Sequence, residues 1–199
     1  MLEYARSKHK LRWGDKTPSY CTELDVLWHL FPGCRVIHLV RDGRDVALSL
    51  SKISWGSKHI PRVAEEWRWK TTLMRKMGTL LGEHYLEVRY EDLVLDTEAT
   101  LRTICNFLGE PFHARMMAYQ SSSEAEMPVG SIQWHQKSMQ APDPDKVFEW
   151  TSKMPLSDQA IFDEIAGPAL DLFGYQRIVK HHLFITRLKK LHYAVIQRW

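Results

Sequence analysis

The segment from Arg35 to Ser49, Arg-Val-Ile-His-Leu-Val-Arg-Asp-Gly-Arg-Asp-Val-Ala-Leu-Ser, constrains the fold more than any other. Val36, Ile37, Leu39 and Val40 make a short apolar run rich in β-branched residues, the pattern of a buried parallel strand. Arg41 ends the run, Asp42-Gly43 breaks it, and Arg44 to Ser51 has helical spacing with Val46, Leu48 and Leu50 available for packing. A strand that turns tightly into a helix gathers amide N–H groups at the helix start, where the macrodipole favours negative charge. Arg41 falls at the carboxyl end of the strand, the end at which open α/β sheets bind ligands. Its planar fork can grip a phosphate through two parallel hydrogen bonds, and Ser49, two turns into the helix, can add a hydroxyl. Equally, Arg41 can pair with Asp42 or Asp45 at a solvated helix start. Spacing alone leaves both readings open.

The rest of the chain supplies enough apolar material to bury this strand. Its 199 residues suit one domain, and 44% of them are hydrophobic. The net charge of +3 is carried by the end of the chain, where six cations (Arg177, Lys180, Arg187, Lys189, Lys190, Arg198) follow the last acid, Asp171. What precedes them is mildly acidic, which argues against a nucleic-acid partner. Cys21, Cys34 and Cys105 are scattered without metal-ligand spacing and fit a reducing, cytoplasmic setting. No apolar run approaches the ~20 residues of a membrane span.

Along the chain, Met1 to Lys10 is polar and without pattern, and Arg12 to Tyr20 reads as loop. Thr22 is the expected N-cap of a helix that ends near Leu30, stopped by Pro32-Gly33. From about Pro61, Val63, Trp67, Met74, Met77 and Leu81 recur at helical intervals. Trp67 is either core or a substrate platform. Tyr85 to Tyr90 forms the second strand. Asp96 is expected to cap a helix bearing Leu101, Ile104, Cys105 and Leu108, with Gly109 as its stop. Pro111 to Tyr119 should hold a short further helix. Ser121 to Asp145 is irregular, and a loop that long is usually functional. Ser157 should cap a last helix that kinks or breaks at Gly167-Pro168. Residues 176–199 form a separate basic amphipathic segment, with Phe184, Leu188, Leu191, Val195 and Trp199 on one face. That face suits a peripheral membrane contact or packing against a subunit or the body.

Four segments in order carry a resemblance to a known family. These are Trp13-Gly14-Asp15-Lys16-Thr17-Pro18, the Arg41 to Ser49 motif, Glu87-Val88-Arg89-Tyr90-Glu91-Asp92-Leu93, and Asn106-Phe107-Leu108-Gly109. Together they resemble sulfotransferases that use 3'-phosphoadenosine-5'-phosphosulfate. The resemblance implies an α/β fold, a parallel β-sheet flanked by helices like that of P-loop NTPases, over residues 1–175. It implies transfer of a sulfuryl group from that co-substrate to a hydroxyl or amine, with no metal, on an acceptor whose class these motifs do not specify.

By the same resemblance, Arg41 and Ser49 hold the 3'-phosphate and Tyr90 lies beside the adenine. Tyr90 also reads as an aromatic filling the seam between strand and helix. Sulfuryl transfer needs a cation at the oxygens whose charge grows and a base for the acceptor's proton. Lys16 suits the first role; Asp15 is either the base or the partner that orients Lys16. An acidic residue before the Lys and a Pro soon after match much of the family, while the His of cytosolic-type relatives is absent between Trp13 and Tyr20.

Two departures stand out. Relatives place a Gly shortly before a Trp in a late loop that touches the 3'-phosphate; here Phe148 precedes Trp150, leaving Lys146 as the loop's candidate. The family's Gly-rich 5'-phosphosulfate loop also has no counterpart, since Met1 to Arg12 contains no glycine. The expectation is therefore a chain incomplete at its N-terminus, with a sheet edge exposed and little activity alone. A membrane-anchored luminal form of a longer chain stays open. The alternative is a non-catalytic nucleotide-phosphate-binding or protein-interaction domain derived from the same fold. A P-loop kinase is disfavoured because no Gly-rich run precedes Lys16.

Overall fold

The computed structural model describes residues 2–54, 56–121 and 141–178. The two strands fall where alternation and β-branching place them: β1 is Val36–Val40 and β2 is Tyr85–Arg89. They pair in parallel, from Val36 opposite Tyr85 to Val40 opposite Arg89, and form a two-stranded sheet among the described residues. A parallel pair needs a long crossover. Here the crossover contains α3 (Gly43–Ser51) and α4 (Ile60–Thr79). Before β1 lie α1 (Leu2–Ser7) and α2 (Leu24–Leu30). After β2 come α5 (Tyr90–Leu95), α6 (Thr97–Leu108), α7 (Trp150–Lys153) and α8 (Leu156–Leu172).

Helices α3, α4 and α8 stack on the face of the sheet that carries Val40. Val63 and Trp67 of α4, Phe162 and Leu170 of α8, and the following Phe173 and Tyr175 close one core with Val40 and Ala47. The opposite face of β1 is open: Ile37 and Leu39 remain 38% and 50% exposed. Gly43 is needed for close approach, since a Cβ there would fall 2.4 Å from the Phe162 ring and 2.6 Å from Trp67. The turn after β1 thus sits directly on the core.

Several expectations are corrected. Thr22 does not cap α2; it ends a 3-10 turn, Pro18–Thr22, its hydroxyl donating to the Ser19 carbonyl, and Glu23 occupies the cap position. Ser157 is likewise displaced, because α8 already begins at Leu156 after Pro155. There is no break at Gly167-Pro168, as α8 runs continuously to Leu172 with Ile161, Phe162, Ala166 and Leu170 fully buried along it. Tertiary packing against α4 overrides the local cost of the proline. Polar residues 2–7, read as featureless, form α1. Most of the irregular stretch 121–145 and of the basic segment 176–199 lies outside the described residues.

Replacing Gly43 with Ala should lower stability by about 1–3 kcal/mol in urea denaturation, because the core must move to admit the methyl. Gly14→Ala, with nothing within 4 Å of the added atom, should stay within about 0.5 kcal/mol of the parent. Equal midpoints for the two variants would contradict this packing.

Candidate functional site

The turn between β1 and α3 is fixed by polar groups that have almost no contact with water. Glu91, at the start of α5, accepts from the Asp42 backbone N–H at 2.8 Å and from the Tyr175 hydroxyl at 2.9 Å. The Trp67 indole N–H donates to the Arg41 carbonyl at 3.0 Å, so Trp67 is a core residue that also tethers the strand end. Asp42 caps α3, its carboxylate accepting from the Arg44 backbone N–H at 2.9 Å and from the Arg44 guanidinium at 2.7 and 3.0 Å. Arg44 is fully buried. It also donates to Asp163 at 3.0 Å and to the Gln176 carbonyl at 2.8 Å, and lies 3.5 Å over the Trp150 ring.

Arg41 emerges from this base. Its guanidinium lies 4.7 Å over the Tyr90 ring and donates to the Lys146 carbonyl at 2.8 Å. Its Nε is buried without a hydrogen-bond partner among the described residues, while the side chain keeps 24% of its surface open. Asp45, one turn on, is 3.8 Å away and is the only carboxylate among the described residues to pair with it. The pairing with Asp42 considered from the sequence is absent, because Arg44 occupies that carboxylate.

The loop before α7 closes over the same corner. Asp45 accepts from the backbone N–H groups of Phe148 and Trp150 at 2.8 and 2.9 Å. Burial pushes the Asp45 carboxyl up, opposed by the Trp150 amide and by Arg41. Glu149 gathers Lys153, Lys52 and Lys146 at 2.7, 3.0 and 3.1 Å. Hydrogen bonds from Lys153 and Lys52 pull its pKa down to about 2.

Arg41, Tyr90 and Lys146 are thus brought together, although Lys146 meets Arg41 through its carbonyl and turns its ammonium to Glu149. Ser49 stands exposed on α3. Lys52, one turn further along the same side of the helix, reaches the loop at Glu149.

Asp15 makes its hydrogen bonds within its own loop, not to this cluster. Asp15 accepts from the Tyr20 hydroxyl at 2.6 Å, the Lys16 backbone N–H at 2.9 Å and the Thr17 hydroxyl at 3.3 Å. The Tyr20 bond leads in holding its pKa below the ordinary carboxylate value. Trp13 packs edge-on against Phe31, just before β1, and Arg12 donates to the Leu108 carbonyl at the end of α6. The contacts that seat this loop therefore gather where β1 begins, while Arg41 lies where it ends.

A model of the sulfotransferase family matches residues 1–114, more than half of the chain, and the chain belongs to that family. Protein-tyrosine sulfotransferase A of Caenorhabditis elegans is 24% identical over 176 residues, covering 81% of this chain and 46% of the relative. Carbohydrate sulfotransferase 4 of Mus musculus is 25% identical over 166 residues, covering 72% of this chain and 42% of the relative. Among solved structures, the sulfotransferase domain of the Synechococcus PCC 7002 olefin synthase matches with a TM-score of 0.68 and 27% identity, covering 89% of this chain and 64% of that one. The chain spans about half the length of the curated relatives it matches. No helix among the described residues is long and apolar enough to cross a membrane.

Sequence reasoning missed the buried polar base: Arg44, Asp163, Glu91 and Tyr175. Asp42 and Arg44 are neighbours in sequence, but Asp163 is 119 residues from Arg44 and Tyr175 is 84 from Glu91. No local pattern links them.

Removing Arg44 as Arg44→Met should cost about 3–5 kcal/mol in urea denaturation, because Asp42 and Asp163 are left buried without their cation. Loss of less than about 1 kcal/mol would contradict the network. A second expectation concerns acid. Glu149 has a lowered pKa, so its contribution is present above the ordinary value of 4.5 and is lost as the pH falls toward 2. The melting-temperature gap between the parent and Glu149→Gln should be largest near neutrality and close over that window. A gap that widens on acidification would contradict the lysine cluster.

Proposed function

We propose that this chain provides the nucleotide-binding part of a sulfotransferase that moves a sulfuryl group from 3'-phosphoadenosine-5'-phosphosulfate to an acceptor hydroxyl or amine. The observation that carries it is Arg41. A guanidinium stands at the carboxyl end of a parallel strand, beside a helix N-terminus, with Nε buried and unpartnered among the described residues and its plane over an aromatic ring. A 3'-phosphate supplies the acceptor oxygens such a group lacks. In this reading Ser49 adds a hydroxyl from α3, Tyr90 lies beside the adenine, and Lys146 adds positive charge at the rim.

Transfer itself is an in-line displacement. The bond between sulfur and the 5'-phosphate oxygen breaks as one to the acceptor oxygen or nitrogen forms, and the acceptor's proton passes to a base. Lys16 is proposed as the cation at the sulfuryl oxygens. Three donors already hold the Asp15 carboxylate, which favours its orienting the Lys16 loop over its acting as base. The named relatives act on protein tyrosine and on carbohydrate, so acceptor chemistry is proposed only as far as the attacking group.

A second reading, a nucleotide-binding domain without catalysis, draws on Asp15 making its hydrogen bonds to Lys16, Thr17 and Tyr20 rather than to the Arg41 cluster. Turnover separates the two. Lys16→Ala should lower turnover of the enzyme containing this chain without changing nucleotide affinity; equal turnover would remove Lys16 from the mechanism, and no turnover by the parent enzyme would favour the second reading.

Binding tests the shared part. Charge-assisted hydrogen bonds are worth about 1.5–3 kcal/mol each, so Arg41→Ala should weaken adenosine 3',5'-bisphosphate binding in calorimetry by one to two orders of magnitude. Far-ultraviolet circular dichroism should stay native. An unchanged dissociation constant would rule out the site.

A further inference from the structure

Asp45 is nearly excluded from water, at 2% exposure, and it makes only a loose ion pair with the arginine one turn before it. Its distance to the Arg41 guanidinium, 3.8 Å, is too long for a hydrogen bond. Each of its oxygens is instead taken by a backbone N–H more than 100 residues away, Oδ2 by Phe148 and Oδ1 by Trp150. Between those two amides the chain makes an unfavourable turn. Phe148 has φ of +56°, in the left-handed region that a bulky residue with a Cβ avoids. The family resemblance places a glycine there, which takes that conformation freely. On the other side, the Asp143 carboxylate accepts from the Asp145 N–H at 3.0 Å and closes the 3-10 turn Pro144–Lys146. The Lys146 carbonyl that leaves this turn holds Arg41.

We infer that Asp45 is a positioning residue: by clamping the amides of Phe148 and Trp150 it sets the loop over residues 143–150, and the loop in turn aims the Arg41 guanidinium at the nucleotide's 3'-phosphate. Here a carboxylate does what glycine does in relatives, holding the loop in a conformation the local residue disfavours. Because both oxygens accept from the backbone, no direct hydrogen bond from Asp45 takes up the Arg41 guanidinium. The inference rests on the 3'-phosphate reading of Arg41, and it makes a prediction opposite to simple electrostatics. Asp45 is a negative charge beside a proposed phosphate site, so charge alone would have its removal tighten binding.

The test compares the parent chain with Asp45→Asn, whose single acceptor oxygen can keep only one of the two amides. Ligand-free hydrogen exchange is read first. Exchange over 143–150 should quicken at least tenfold while amides of β1, α4 and α8 keep the parental rate. An unchanged loop overturns the inference, as does acceleration throughout the core. Titration with adenosine 3',5'-bisphosphate is read second. Asp45→Asn should bind at least tenfold more weakly, and equal or tighter binding overturns the inference. Adding Phe148→Gly to Asp45→Asn should recover at least fivefold of that loss; no gain overturns the route through the loop. A parent chain that binds no bisphosphate overturns the 3'-phosphate site itself, and the exchange result then stands as a separate finding about the loop. The two failures are thus distinguishable.

Discussion

The buried Arg44 guanidinium is the interaction on which the remaining geometry depends. It joins the helix cap Asp42, the α8 residue Asp163 and the Gln176 carbonyl, and it lies against Trp150. The β1–α3 turn thus meets α7, α8 and the segment after α8, all more than 100 residues further on, at one cation. Buried ion pairs are weak sources of net stability, since desolvation offsets attraction, but removing one partner is severe. Such a group therefore acts chiefly on register: the chain is penalised for any arrangement in which α8, the loop before α7 and the β1–α3 turn do not converge. Glu91 does the same for the backbone on the other side of the turn, with Tyr175 as its second donor.

With the turn held this way, Arg41 has little freedom at its backbone and considerable reach at its tip. Its carbonyl is tied to Trp67, its side chain rests on Tyr90, and the Lys146 carbonyl holds one end of the fork. Cations outnumber carboxylates at the corner, since Arg41, Lys52, Lys146 and Lys153 face only Asp45 and Glu149 among the described residues. An anion arriving here meets positioned donors with little reorganisation left to make, which is the condition under which electrostatic recognition is most effective.

How much of this was legible in the sequence follows from how local each signal is. Strand β1, the Asp42 break and α3 are written in consecutive residues, and their placement agrees with the period-2 run and the helical spacing that follow it. The long α4 and the glycine stop of α6 were legible for the same reason. The caps of α2 and α8 were misplaced because Thr22 and Ser157 look like caps locally, while Thr22 is taken up by the 3-10 turn that Pro18 opens and Pro155 occupies the cap position of α8. The break expected at Pro168 failed because packing on α4 decides there. At the site, Arg41 was visible because it punctuates a strand. Arg44 and Glu91 were not, and Asp45 was visible only as a partner of Arg41, since a charged residue on a helix start reads as solvated until distant partners such as Asp163, Tyr175 and the Phe148 and Trp150 amides close over it. Phe148 was visible only as a departure; its left-handed backbone gives that departure a physical form.

The central claim is that the strand end recognises a phosphate on the 3'-position of an adenosine nucleotide. Side-by-side equilibrium binding of adenosine 3',5'-bisphosphate and adenosine 5'-monophosphate to the chain tests it most directly. The bisphosphate is expected to bind at least tenfold more tightly, a gap that should shrink as salt screens the exposed part of the interaction. Equal affinity for the two nucleotides would contradict it.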